Sequence, residues 1–291
     1  MHGATLQPQF LTANGLEFGL LQAGPVDGPL VLLAHGFPDS AWSFAPIIEA
    51  LAAEGYRAVA PFMRGYLPTQ IPADGDYRVT TLARDLIALV DDLGAARAVL
   101  VGHDWGAVAS YVATAMRPDR VHAMACAAIP HLRRFLLRPT AAQLLRSRYM
   151  LRFQWPDAET HLSAQQFAAL KALAQGWSPG ADLSTALAPV IGGFSERARL
   201  SAALGYYRAL PKSLLSADAW RLLTAPTPVP ALLIHGGQDG CIGREIFAAQ
   251  EHLFASSLKT VCFERSGHFM QVEEPEHFAE TLLGFLRGLK A

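Results

Sequence analysis

Short apolar runs alternate with amphipathic stretches along the first 130 residues, and no other feature restricts the fold as tightly. "LVLLAH" (30–35), "YRAVAP" (56–61), "RAVLVG" (97–102) and "VHAMACAAIP" (121–130) are short and almost continuously apolar. A strand covered on both faces has that composition, because neither side of it meets water. Between these runs, residues 40–53, 79–93 ("VTTLARDLIALVDDL", stopped by Gly94) and 106–116 read as helices. "FLTANGLEFGL" reads as two strands joined at an Asn14-Gly15 hairpin turn. "TPVPALLIHG" (227–236) and "LKTVCFE" (258–264) resume the strand pattern, and residues 275–290 form a last helix. The expected class is α/β, a mostly parallel twisted sheet flanked by helices on both faces.

The rhythm breaks between residues 131 and 223. That stretch has helical patterning, no good strand, the tryptophans Trp155, Trp177 and Trp220, and a Tyr206-Tyr207 pair. It is expected to be a helical cap inserted after the sixth strand, over the carboxyl edge of the sheet. Residues 1–130 and 224–291 would then form the core. A chain of 291 residues suits one α/β domain with such an insertion. Half the residues are hydrophobic and 17% are charged, which permits a large core. A net charge of −1 speaks against a nucleic-acid partner, which would want a basic face. No signal peptide is visible, and no apolar run reaches the roughly 18 residues of a membrane span, so no membrane partner is expected. Cys126, Cys241 and Cys262 are odd in number and widely spaced, as in a reduced, cytoplasmic protein without a disulfide frame. The cap edge leaves a homodimer open.

Ligands of a parallel sheet bind beyond the carboxyl ends of its strands. Four segments there carry polar residues: His35-Gly36-Phe37-Pro38, His103-Asp104-Trp105, Gln238-Asp239-Gly240 and Ser266-Gly267-His268. Gly102-x-Asp104-x-Gly106 has the form of a nucleophile elbow, followed in chain order by an acid, Asp239, and a histidine, His268. Taken singly, Asp104 could be a helix N-cap, Asp239 a turn residue and His268 a core histidine. Their shared order makes them candidates for one site. His35, His103, His235 and His268 also lie near strand ends, but no metal-binding spacing links them, and no metal is expected.

A carboxylate at the elbow restricts the reaction. A serine that attacks a saturated carbon forms an ether, which water does not cleave at neutral pH. An aspartate forms an ester, whose carbonyl belongs to the enzyme and can be hydrolysed. Asp104 therefore points to displacement at saturated carbon: opening of an epoxide or loss of a halide. His268 would activate water for the second step, with Asp239 fixing its tautomer. The backbone N–H groups of Phe37 and Trp105 are the candidate oxyanion donors.

"HGFPDS" (35–40), "GHDWG" (102–106) and "SGHFMQVEEPE" (266–276) resemble motifs of the epoxide hydrolase branch of the α/β-hydrolase superfamily. The resemblance covers nearly the whole chain. It implies an oxyanion motif whose proline is commonly cis, an epoxide and water as substrates, a vicinal diol as product, and no cofactor; the apolar, aromatic lining of the cap suits a hydrophobic epoxide. It also implies two cap tyrosines that donate to the epoxide oxygen. "YMLRFQWPDAE" (149–159) places Tyr149 in the first such motif, with Asp157 in place of glycine. "LGYYRAL" (204–210) places Tyr207 in the second, with Gly205 for asparagine and Tyr206 for tryptophan. Phe37, Trp105 and Trp155 are the expected apolar walls. Haloalkane dehalogenases share much of this frame, and there Trp105 with Trp155 or Trp177 would hold halide. A non-catalytic sensor on the same scaffold is the remaining alternative.

Overall fold

The computed structural model describes residues 6–289. The ends of the expected core, residues 1–5 and 290–291, lie outside them, and so does the expected close of the last helix at Lys290. Eight strands form one sheet: β1 (Gln9–Ala13), β2 (Leu16–Ala23), β3 (Leu30–Ala34), β4 (Arg57–Pro61), β5 (Ala98–His103), β6 (Val121–Ala127), β7 (Ala231–Gly236) and β8 (Leu258–Phe263). Their order is β1-β2-β4-β3-β5-β6-β7-β8. The β1–β2 and β2–β4 pairs are antiparallel, and every later pair is parallel. The first turn needs positive φ at both central residues, and Asn14 (49°) and Gly15 (72°) supply it.

The apolar runs are continuous because each strand feeds two cores. Along β5, Leu100 packs with Leu82, Leu86 and Val112 on one face. Val99 and Val101 point to the other face, with Ile47, Ile48 and Leu282. Trimming one such leucine to alanine costs about 2–5 kcal/mol. The helices Ala45–Ala53 and Pro275–Gly288 cover the second face, and Val79–Asp92 and Trp105–Met116 the first. The strand expected over 121–130 ends at Ala127, because Ala128 turns to φ 65° and carries the chain off the sheet.

Between β6 and β7 the chain makes helices from Leu132–Leu137 to Ala217–Thr224 and no strand. The longest, Ala158–Trp177, is interrupted at 164–167, where Gln165, Gln166 and Phe167 are left-handed. Its last residue, Trp177, reaches the ring of His268, with centroids 5.2 Å apart. Among the described residues no helix is long and apolar enough to cross a membrane.

Candidate active site

β5 ends at His103 and the next helix opens at Trp105, which leaves Asp104 alone at the bend. Its φ of 50° lies in the left-handed region, where a non-glycine residue persists only if its surroundings hold it. The surroundings are tight. A Cβ at Gly102 would stand 2.5 Å from the Ala107 backbone, and one at Gly106 would stand 1.9 Å from the Ala34 carbonyl oxygen. The Asp104 carboxylate makes no cap hydrogen bond to the helix it precedes. It is buried, and its Oδ1 accepts the Phe37 N–H at 2.8 Å. Phe37 follows β3 and precedes a cis Phe37-Pro38 peptide bond. Trp105 is the first residue of its helix, so its N–H is not used by the helical ladder.

The loops after β7 and β8 bring the other two polar groups. Asp239 Oδ1 accepts the N–H groups of Cys241 (2.7 Å) and Ile242 (2.9 Å). Its Oδ2 faces His268 Nδ1 at 2.9 Å. A carboxylate accepts only, so Nδ1 carries the proton and Nε2 keeps a lone pair. Nε2 lies 3.8 Å from Asp104 Oδ2 and has no hydrogen-bond partner of its own. Burial pushes the imidazole pKa down, but the nearby charges of Asp239 and Asp104 and the Asp239 hydrogen bond outweigh burial and leave it above the ordinary value. Asp104, Asp239 and His268 thus converge, from residues 29 to 164 positions apart in the chain.

Aromatic rings close over these three. Phe37 is fully buried and meets Phe153, Trp177, Phe194 and Tyr207. Trp105 meets the Tyr207 ring edge-on at 5.0 Å. Tyr149 and Tyr207 lie side by side, ring centroids 5.8 Å apart. The Tyr149 hydroxyl has the Cys241 thiol at 3.5 Å, and the buried Tyr207 hydroxyl has no hydrogen bond of good geometry. Burial first, and the Asp104 charge among the other causes, raise both phenols well above their usual pKa, so both stay protonated donors at neutral pH. Tyr206 differs from its neighbour: its hydroxyl donates to the Arg64 carbonyl at 2.8 Å and is spent on packing. Phe194 and Tyr66 also wall an apolar cavity of about 320 Å³ that extends toward Trp42 and Pro189.

Trp155, expected as a pocket wall, is instead on the outer surface. It is 58% exposed, and the Arg152 guanidinium stacks over its ring at 4.9 Å. Cation–π contact holds the ring outward, and Trp177 and Phe153 occupy the inner wall.

Sequence reasoning missed a second layer. His103 Nε2 donates to the His268 carbonyl at 3.0 Å, and its Nδ1 lies 3.6 Å from Asp39 Oδ2. Asp39 is buried and also accepts from Ser40, Ser43 and Gln271. Ser178, fully buried, accepts the His268 N–H at 2.8 Å and the Phe269 N–H at 3.1 Å, and donates to Glu273 at 2.7 Å. The Trp177 carbonyl accepts from Gly240 and His268. The end of one inserted helix is therefore fastened to both the Asp239 and the His268 loops. "HGFPDS" contained Asp39, but nothing local marked Ser178. The four histidines near strand ends have separate tasks. His35 Nε2 accepts the Met63 N–H at 2.9 Å, and His235 stacks on Phe247. Among the described residues no three His, Cys, Asp or Glu side chains are grouped to hold a metal ion.

A buried carboxylate at a glycine-flanked bend, facing an aspartate–histidine pair at the carboxyl ends of parallel strands, is the arrangement a hydrolase of the α/β type requires. The chain belongs to the α/β hydrolase fold family, which it matches over residues 29–275. It is 33% identical to epoxide hydrolase A of Mycobacterium tuberculosis, over 97% of this chain and 98% of that protein. It is 29% identical to an epoxide hydrolase of Caballeronia sordidicola, over 97% and 94% of the two chains. The crystal structure of epoxide hydrolase A from Mycobacterium thermoresistibile superposes with a TM-score of 0.84 at 29% identity, covering 98% of this chain and 99% of that one.

Proposed function

We propose that this chain is an epoxide hydrolase that forms vicinal diols through an ester on Asp104. The single observation that carries the mechanism is the pairing of an elbow carboxylate with two buried, protonated phenols. The names of the relatives support the substrate class.

In the first step an Asp104 oxygen attacks one oxirane carbon and the ring C–O bond breaks. The departing oxygen takes a proton from one of Tyr149 and Tyr207 and a hydrogen bond from the other. A phenol donates well here, because the alkoxide it meets is the stronger base. In the second step His268 Nε2 removes a proton from water, and the hydroxide adds to the ester carbonyl. The oxyanion that forms is held by the N–H groups of Phe37 and Trp105. Collapse releases the diol and restores the carboxylate, and the imidazolium proton returns to the phenolate. The inserted helices act as the cap domain, supplying the phenols and the apolar walls. Phe37 and Trp105 present their rings to the substrate.

The rival chemistry loses halide at the same carboxylate. Offering styrene oxide and 1-bromobutane separates the two. The proposal expects phenylethanediol and no bromide. Bromide without diol would replace epoxide opening with dehalogenation.

A further inference from the structure

The helix Ala141–Arg146 is built inside out. Its one buried residue is the polar Gln143, which donates to the Cys241 carbonyl and accepts the Gly243 N–H, each at 2.9 Å. Ala141, Ala142, Leu144 and Leu145 all face solvent. The next helix, Tyr149–Arg152, repeats the pattern. Tyr149 turns in toward the candidate site while Leu151 stands 71% exposed. Leu137 and Trp155, near the two ends of this stretch of chain, are also half exposed or more. A soluble helix normally does the reverse, and apolar side chains turned outward on two successive short helices are what a contact surface would present.

The charge carried by this stretch of chain is predominantly positive. Residues 131–156 contain six arginines, at positions 133, 134, 138, 146, 148 and 152, and no aspartate or glutamate. Two carboxylates from outside the stretch pair with it: Glu245 with Arg146 and Asp157 with Arg152. Arg133, Arg138 and Arg148 are exposed and make no ion pair among the described residues.

We propose that this outer face docks on an anionic lipid membrane. The partner must accept exposed leucines and also neutralise arginines. A bilayer surface offers both, with hydrocarbon beneath a layer of phosphates that guanidinium groups grip in bidentate fashion. A second copy of this chain fits less well. A two-fold interface sets a surface against itself, and here it would press arginine on arginine. The site's own residues are not involved: Tyr149 faces inward from the helix whose outer side carries Leu151. If the epoxide reading holds, docking sets that site against the phase in which apolar epoxides dissolve.

The test is flotation of the full chain with vesicles, which requires no turnover and so is independent of the epoxide reading. One set is phosphatidylcholine alone, and the other is equal parts phosphatidylcholine and phosphatidylglycerol. The protein is expected to float with the mixed vesicles only, and to be released at about 1 M NaCl, where the Debye length is about 3 Å. The pairs L144E/L145E and R133E/R138E should each lower flotation roughly tenfold or more, with melting temperatures unchanged. Four results would overturn the proposal. The wild-type protein stays down with mixed vesicles. It floats equally well with neutral ones. Both folded variants float as before. Or it forms a dimer that L144E/L145E dissolves while no vesicle is bound. The wild-type result stands even if a variant fails to fold.

Discussion

The floor and the roof of the site are held by different forces. The floor comprises the loops after β3, β5, β7 and β8. Its polar atoms are tied by backbone N–H groups: Phe37 on Asp104, and Cys241 and Ile242 on Asp239. The roof comes from the inserted helices. Tyr149, Phe153, Trp177 and Tyr207 are held there by ring contacts 4.9–5.8 Å between centroids. Its two phenol hydroxyls are nearly unspent. The floor fixes a charge in place, whereas in the proposed mechanism the roof keeps donors in reserve for an oxygen that arrives with substrate. Changes to the floor should therefore abolish turnover, and changes to the roof should scale it.

Asp104→Ala tests the floor most severely and should lower kcat by roughly 10⁶-fold, as loss of other enzymic nucleophiles does. A variant that keeps even a hundredth of the activity would remove the carboxylate from the reaction. His268→Gln should slow turnover by roughly 10⁴-fold while leaving the first step intact. Intact-protein mass spectrometry should then find the ester trapped on Asp104. On the roof, Tyr149→Phe and Tyr207→Phe should each cost roughly 10- to 100-fold, the worth of one hydrogen bond to a charged oxygen. The double variant should cost more than either alone. If both single variants were silent, the oxygen would have to be met elsewhere.

The pH profile sharpens the floor. In the proposed mechanism His268 acts only when neutral. Its pKa is pushed down by burial and up by Asp239 and Asp104, with the net above 6.5. Activity should fall as pH drops through a value above 6.5, and Asp239→Asn should move that limb to lower pH. A limb near 4 would place a carboxylate, not His268, in control. At the seam between floor and roof, Ser178→Ala should slow ester hydrolysis by roughly tenfold and spare alkylation, with threonine restoring the rate. An equal loss in both steps would make the serine merely structural. The smallest effect belongs to Trp155→Ala, which should change kcat/KM by no more than roughly twofold.

The same division explains what could be read in the sequence. Strand ends carry their own punctuation. An apolar run that stops at a glycine-flanked polar residue marks the floor, and the structure brings Asp104, Asp239 and His268 together there. The roof has no such marks. Tyr149 and Tyr207 could be singled out only through a resemblance. The sequence pattern favours Trp155 as a wall over Trp177, but the Arg152 guanidinium lies over the exposed Trp155 ring, and an interrupted helix delivers Trp177 to His268 instead. The second layer was hidden for a different reason. Ser178 and His268 are 90 residues apart, and Asp39 and Gln271 are 232 apart. Pairings at that range leave no local pattern.

One turnover in heavy-oxygen water, with enzyme in excess over epoxide, tests the central claim most directly. If Asp104 is alkylated and water then attacks its carbonyl, the heavy atom must appear in the peptide containing Asp104, and the first diol must carry none. Label in the first diol, with an unlabelled Asp104 peptide, would show that water attacks the epoxide itself and would contradict the account.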